Sequence, residues 1–180
     1  EDNLISRVVT IQQIYNEFSS GMQDVSAIRD FVKLQYHKEG SDLKYLLLFG
    51  DGSYDPKDRI QNNTNYIPIY QSYNSSNNIF SYSSDDYFGF LDDEEGKWFE
   101  NLSGDHNLNV GIGRIPSKSL DEAKAYVDKL YTYSSKSKVK GDWKKNIYLV
   151  ADDGDNNVHQ NDAENHFDLL DNESKNYNIK

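Results

Sequence analysis

Residues 45–51, with the sequence YLLLFGD, decide the fold, because five apolar residues run directly into a glycine and an acid. Residues 147–155, IYLVADDGD, repeat this arrangement near the other end of the chain. Short apolar runs between polar residues predict strands that are buried on both faces of a parallel sheet. Ligands of open α/β sheets bind just beyond the carboxyl ends of such strands. The sequence therefore predicts that Asp51 and Asp152 emerge side by side at one edge of a sheet, where chemistry or metal binding takes place.

Helical patterns lie between the predicted strands. Asp24 has the position of an N-cap, and the apolar residues of the segment 25–37 recur at helical spacing. Ser119 and Glu122 have the spacing of a capping box, which predicts the start of a second long helix. The apolar stripe expected to be buried on that helix consists of Ala123, Tyr126, Val127, Leu130 and Tyr131.

Two further short apolar runs, at residues 8–11 and 108–112, are predicted as strands. Strands that alternate with helices favour parallel pairing, with the helices packed on the faces of the sheet. The fold class predicted from the sequence is therefore α/β, with a mostly parallel sheet flanked by helices.

Composition excludes several classes of function. The 180 residues carry a net charge of −11, which opposes nucleic-acid binding because that requires a basic surface. The chain has no cysteine, so it contains no disulfide, no thiolate zinc site and no cysteine nucleophile. No run of residues approaches the ~20 apolar positions of a membrane span.

The common catalytic and binding motifs are missing. Residues 50–53, GDGS, lack the spacing of a nucleophile elbow, and the chain has no glycine-rich phosphate loop. The four histidines are scattered without metal-ligand spacing. The acidic segment 152–155 leaves three interpretations: a calcium-binding or scaffold module, a turn rich in Asp and Gly, and a receiver-like phosphoacceptor. The phosphoacceptor is the weakest, because no lysine ends a predicted strand.

An ordered set of segments resembles one family, the gingipain-like cysteine peptidases. The resemblance covers nearly the whole chain, and the order of the segments is more specific than any one of them. The segments are 14–21 (IYNEFSSG), 27–31 (AIRDF), 45–51 (YLLLFGD), 84–89 (SDDYFG), 110–116 (VGIGRIP), 122–124 (EAK), Trp143 and 150–155 (VADDGD).

The resemblance implies a caspase-like fold with two α/β subdomains and a cysteine–histidine dyad. Residues 1–136 would be the first subdomain, and residues 137–180 would open the second, catalytic one. The family's dyad histidine lies in a Gly-His-Gly segment, and this chain contains neither that segment nor a cysteine. We therefore expect the chain to be a truncated part of a longer peptidase and to be inactive alone.

Site residues are carried over only where the segments match. The acid that follows the strand in the family falls on Asp152, which would support the catalytic histidine. The family's calcium-binding positions fall on Asp51 and Asp105, with Asn109 in place of a glutamate. The loss of one carboxylate should weaken such a site, because calcium affinity depends on ligand charge.

Within the family, the type IX secretion sortases of the Bacteroidota are the most similar members. That similarity implies an exported protein at the cell surface or outer membrane. Its partners would be the C-terminal signals of secreted cargo proteins and other components of the secretion system. Neither nucleic acid nor a membrane span within this chain is expected.

Overall fold

In the described residues two α-helices come first and four short strands follow, and helices and strands alternate only from residue 120 onwards. The alternation predicted for the whole chain is therefore seen only in its last third. The computed structural model describes residues 4–74, 76–77, 81–96, 106–135, 141–173 and 176–180. Within these ranges the helices are α1 (Ile11–Phe18), α2 (Val25–His37), α3 (Leu120–Ser134) and α4 (Gly154–Glu173). The strands are β1 (Tyr45–Phe49), β2 (Tyr70–Gln71), β3 (Ser83–Ser84), β4 (Gly111–Ile115), β5 (Asn146–Ile147) and β6 (Asn178–Ile179).

The chain divides into two units, residues 1–127 and 128–180. The boundary predicted between residues 136 and 137 falls outside the described residues. In the described part of the chain, no helix combines the length and the apolar character needed to cross a bilayer.

The first unit is organised around a parallel strand pair. Strands β1 and β4 pair from Tyr45 opposite Gly111 to Phe49 opposite Ile115, so the strand predicted at 45–49 is confirmed. The strand predicted at 108–112 is displaced, because Asn109 makes other contacts. Its backbone N–H donates to the carbonyl of Gly89 at 2.9 Å, which keeps it out of the strand pair.

Helices α1 and α2 cover one face of this strand pair. Asp24 caps α2 as predicted, and its carboxylate accepts the Ser26 N–H at 2.8 Å. The strand predicted at residues 8–11 is wrong, since Thr10 and Gln13 form a capping box that starts α1 at residue 11. The central core cluster consists of Ile14, Tyr15, Ala27, Ile28, Leu48 and Phe88.

The other face of β1 is exposed. Side chains alternate across a strand, and Tyr45, Leu47 and Phe49 are 64 %, 59 % and 41 % exposed. Burial of β1 on both faces is therefore wrong for the described residues. Helix α3 forms where the capping signal predicts, but none of its described residues is buried, so its apolar stripe does not join a core.

The second unit contains a short parallel pair, β5 and β6, and helix α4. Asn146 pairs with Asn178 and Ile147 with Ile179. Beyond these pairs, the N–H of Leu149 donates to the carbonyl of Lys180 at 2.9 Å. Strand β5 therefore shares only Ile147 with the strand predicted at 147–151, and beyond Ile147 the bond of Leu149 is the sole further backbone pairing described there.

Candidate functional site

Asp51 lies directly beyond the carboxyl end of β1, as the sequence predicts. Its N–H donates to the carbonyl of Ser117 at 3.0 Å, and its carbonyl accepts the N–H of Ile67 at 3.0 Å. Its carboxylate also accepts the hydroxyl of Thr64. Both the backbone and the side chain of Asp51 are therefore fixed by hydrogen bonds at this end of the strand pair.

Arg114, near the end of β4, is the centre of this region. Its Nε and Nη2 donate to the two carboxylate oxygens of Asp85, each at 2.7 Å. Its Nη1 donates to the carbonyls of Gly50 at 2.9 Å and Ile67 at 2.8 Å, and Nη2 also donates to that of Pro68 at 3.4 Å. All five N–H groups of the guanidinium are used. The Arg114 and Asp85 side chains are only 11 % and 19 % exposed, so this is a largely buried, bidentate ion pair.

Gly52 is required by this arrangement. A Cβ atom at position 52 would lie 2.9 Å from the carbonyl oxygen of Ile67 and 3.1 Å from Nη1 of Arg114. Any side chain here would push the loop away from the guanidinium. The glycine therefore allows the chain after β1 to pass directly over Arg114.

Residues 51–66 form a loop that leaves the end of β1 and returns beside it. Asp55, which is buried within the loop, accepts the backbone N–H groups of Arg59 and of Ile60, the latter at 2.8 Å. The Asn63 side chain donates to the carbonyl of Asp55 at 3.0 Å. These bonds fold the loop back on itself, which orders it with little apolar burial.

A shallow groove of about 220 Å³ lies at the same end of the strand pair. One wall comes from Phe49 and Gly50 at the end of β1 and from Tyr66 at the end of the loop, and the other from the residues just before α3 and its first turn. We call it the strand-end groove; its lining residues are Phe49, Gly50, Tyr66, Ser117, Ser119, Leu120 and Ala123.

The residues expected to bind calcium do not come together in the described structure. Asn109 precedes β4 and Asp51 follows β1, so the two lie at opposite ends of a parallel pair. The carboxamide oxygen of Asn109 already accepts the N–H of Leu91 at 2.8 Å. Asp105 lies outside the described residues, and among the described ones no three Asp, Glu, His or Cys residues form a metal-binding group. A calcium site that joins Asp51 to Asn109 is not supported by this geometry, and calcium binding stays a prediction.

Asp152 lies in the second unit, three residues after Leu149, and its side chain is exposed. It precedes α4, which is kinked near its start because Asp155, Asn156 and Asn157 all have left-handed backbone conformations, with φ of 49°, 58° and 63°. Asp and Asn tolerate this conformation better than other residues with a side chain. The expectation that Asp51 and Asp152 share one edge of a sheet stays a prediction.

Sequence reasoning missed Arg114 and Asp85 as members of the site. Both lie in segments that carried the family resemblance, 110–116 and 84–89, but neither stood out alone. Arg114, a basic residue two positions beyond the strand predicted at 108–112, was the available signal, because a buried arginine needs a carboxylate partner.

A parallel strand pair with helices on one face, and with loops ordered at its carboxyl end, defines an α/β domain of the kind that binds ligands at that end. The model of Peptidase family C25 matches residues 1–180, and the chain therefore belongs to this family, the gingipain family. The family resemblance is thus confirmed. Membership implies cysteine peptidase activity, on protein substrates, in the parent protein. Searches of curated proteins and of solved structures found no match.

Proposed function

We propose that this chain is the non-catalytic part of a cysteine endopeptidase that acts as a type IX secretion sortase of the PorU type. In this proposal the enzyme works at the cell surface or outer membrane. There it works with other components of the secretion system. It removes the C-terminal secretion signal of cargo proteins and attaches the cargo to lipopolysaccharide.

One observation supports the peptidase part of the proposal. Three of the segments that resemble the family, 45–51, 84–89 and 110–116, are distant in sequence. They meet around a single guanidinium through the bonds of Arg114 to Gly50 and Asp85. Their order at the carboxyl end of β1, where α/β domains bind ligands, supports a peptide-binding edge there.

The proposed chemistry needs residues that these 180 do not contain. A cysteine thiolate would attack the peptide carbonyl, and a histidine would act as acid and base. The chain has no cysteine, so its own contribution would be to bind and orient the peptide. Asp152 would orient the histidine and stabilise its charged form, as acids do in catalytic triads.

The first experiment compares the full-length protein with the 180-residue chain. A thiol-reactive peptide inhibitor is expected to label the dyad cysteine of the full-length protein, and peptides that span the C-terminal signal of a cargo should be cleaved. The 180-residue chain should cleave none of them. Mass spectrometry locates both the label and the cleaved bond. Absence of labelling at the dyad cysteine would refute the proposed peptidase function. Labelling together with cleavage of only unrelated peptides would refute the proposed sortase function.

The role of Asp152 is tested by the substitution Asp152→Asn in the full-length protein. Loss of the carboxylate is expected to lower kcat by roughly 10²-fold, in the range of one general acid–base contribution, with little change in KM. Steady-state kinetics on the cleaved peptide measure both constants. Asp153→Asn is the matched control, since it removes the neighbouring charge, and it should leave kcat within about twofold. Equal losses in the two variants would assign the effect to local charge rather than to Asp152.

A further inference from the structure

The Arg114–Asp85 ion pair has no part in the proposed cysteine chemistry, yet it is the most completely bonded polar group of the strand-end region. Burying a charge is costly unless the charge is paired and hydrogen-bonded. Here both conditions are met, because each carboxylate oxygen and each guanidinium N–H on the pair has a partner. Such a pair holds the groups around it in one arrangement.

One nitrogen of Arg114 holds both ends of the 51–66 loop. Nη1 donates to the carbonyl of Gly50, just before the loop, and to that of Ile67, just after it. Gly50, which accepts one of these bonds, and Tyr66, which precedes the other acceptor, both line the strand-end groove. The guanidinium therefore shares the positioning of this groove wall with the backbone bonds of Asp51 to Ser117 and Ile67.

We propose that Arg114, with Asp85 as its counter-ion, is a positioning residue that fixes the loop 51–66 and the wall of the strand-end groove for peptide binding. The peptide-binding part rests on the proposed function, whereas the loop-fixing part does not. Arg114 touches no peptide in this proposal; it acts through its bonds to Gly50 and to Ile67, the neighbour of Tyr66. Loss of its contacts should therefore weaken peptide binding more than it slows the chemical step.

Lysine cannot replace this arginine. An ammonium group is a point charge with three donors, while the planar guanidinium matches a carboxylate with two parallel bonds and still reaches the carbonyls. Arg114→Lys should retain the attraction to Asp85 but lose the bridge between Gly50 and Ile67. Its effect should lie between those of the wild type and Arg114→Gln.

Arg29 offers a matched control. It is a second arginine that binds backbone carbonyls, with Nε donating to Phe90 at 2.6 Å and Nη2 donating to Asp92 at 2.9 Å and Glu95 at 3.1 Å. These bonds connect α2 to the turn at residues 90–95. None of them involves the loop 51–66 or a residue that lines the strand-end groove. Arg29→Gln should thus reproduce a general loss of stability without the effect on the loop.

The experiment measures kcat and KM of the full-length protein with a cleaved peptide, for the wild type, Arg114→Gln, Arg114→Lys, Asp85→Asn and Arg29→Gln. We expect Arg114→Gln and Asp85→Asn to raise KM about tenfold with kcat within about twofold, as misplaced binding groups do. Arg29→Gln should leave both constants within about twofold of the wild type.

Brief digestion with trypsin reads the loop directly. Lys57 and Arg59 are exposed and lie inside the loop, and cleavage at an ordered loop requires local opening. Cleavage at these two sites should become about tenfold faster in Arg114→Gln and Asp85→Asn, with Arg29→Gln unchanged. Mass spectrometry of the fragments identifies the sites.

Each result decides one part. Unchanged cleavage at Lys57 and Arg59 in both Arg114→Gln and Asp85→Asn would overturn the loop-fixing role, as would equal acceleration by Arg29→Gln. Faster cleavage with an unchanged KM would overturn the peptide-binding part alone. A wild-type protein without peptidase activity would reject the proposed function, and the trypsin comparison would still decide the loop-fixing role. If Arg114→Gln does not fold, Arg114→Lys and Asp85→Asn carry the test.

Discussion

Replacing Phe88 by alanine is expected to lower the free energy of unfolding of the first unit by about 3–5 kcal/mol, the usual cost of removing a fully buried aromatic ring. Phe88 has no exposed surface and belongs to the central core cluster with Ile28 and Leu48. The cavity left by its ring would be enclosed by α1, α2 and β1, which are fixed by their own hydrogen bonds. Urea unfolding followed by circular dichroism measures the change.

The control for this substitution is Ile5→Ala in the same unit. Ile5 is fully exposed, so its loss should cost less than about 0.5 kcal/mol. A cost below about 1 kcal/mol for Phe88→Ala as well would mean that Phe88 is not at the centre of the core.

The second large effect is expected from Asp85→Ala, which removes the counter-ion of Arg114. Breaking a buried ion pair by removing one partner costs about 3–5 kcal/mol, because the remaining charge stays buried without compensation. The substitution also removes both bonds that orient the guanidinium, so the carbonyl contacts at the end of β1 should loosen. Thermal and urea unfolding of the variant measure the loss.

Asp86→Ala tests whether the loss of stability in Asp85→Ala comes from the buried position of that carboxylate or only from the loss of a negative charge. Asp86 is the next residue and carries the same charge, but its side chain is exposed. We expect its loss to change the free energy of unfolding by less than about 0.5 kcal/mol. Similar costs at positions 85 and 86 would contradict a specific role for the buried pair.

Local signals predicted the elements of the fold that depend on local structure. The apolar run before Gly50 predicted β1, and Asp24 followed by regularly spaced apolar residues predicted α2. Ser119 and Glu122 predicted the start of α3, where the N–H of Glu122 donates to the hydroxyl of Ser119 at 3.2 Å. Capping and periodicity act over a few residues, so they can be read directly from the sequence.

Features that depend on tertiary contacts were not predicted correctly. The composition of residues 8–11 is typical of a strand, but Thr10 is the N-cap of α1, so the helix begins at residue 11 instead. Strand β4 begins later than its apolar run because Asn109 binds the backbone of Gly89 and Leu91. The exposure of Leu47 depends on which elements cover each face of the sheet, and no local pattern contains that information.

The candidate site was predicted in part for the same reason. Asp51 was placed correctly at a strand end, since strand ends follow from the strand itself. The bond between Arg114 and Asp85 joins residues 29 positions apart, and a single sequence does not show such a pairing. Asn109 was assigned to a site with Asp51 only by the resemblance, and the pairing of β1 with β4 separates them.

The bonds that join the two ends of the loop 51–66 affect which insertions the chain can accept during evolution. The guanidinium of Arg114 binds the carbonyls of Gly50 and Ile67, on either side of the segment 51–66. Residues added within the segment would therefore not displace β1. Doubling the length of a flexible loop costs only about 0.6 kcal/mol in closure entropy. Insertions should thus be tolerated best at the exposed residues 61–62, which take no part in the bonds of Asp55, Asn63 and Thr64, as long as Arg114 keeps its carbonyl partners at Gly50 and Ile67.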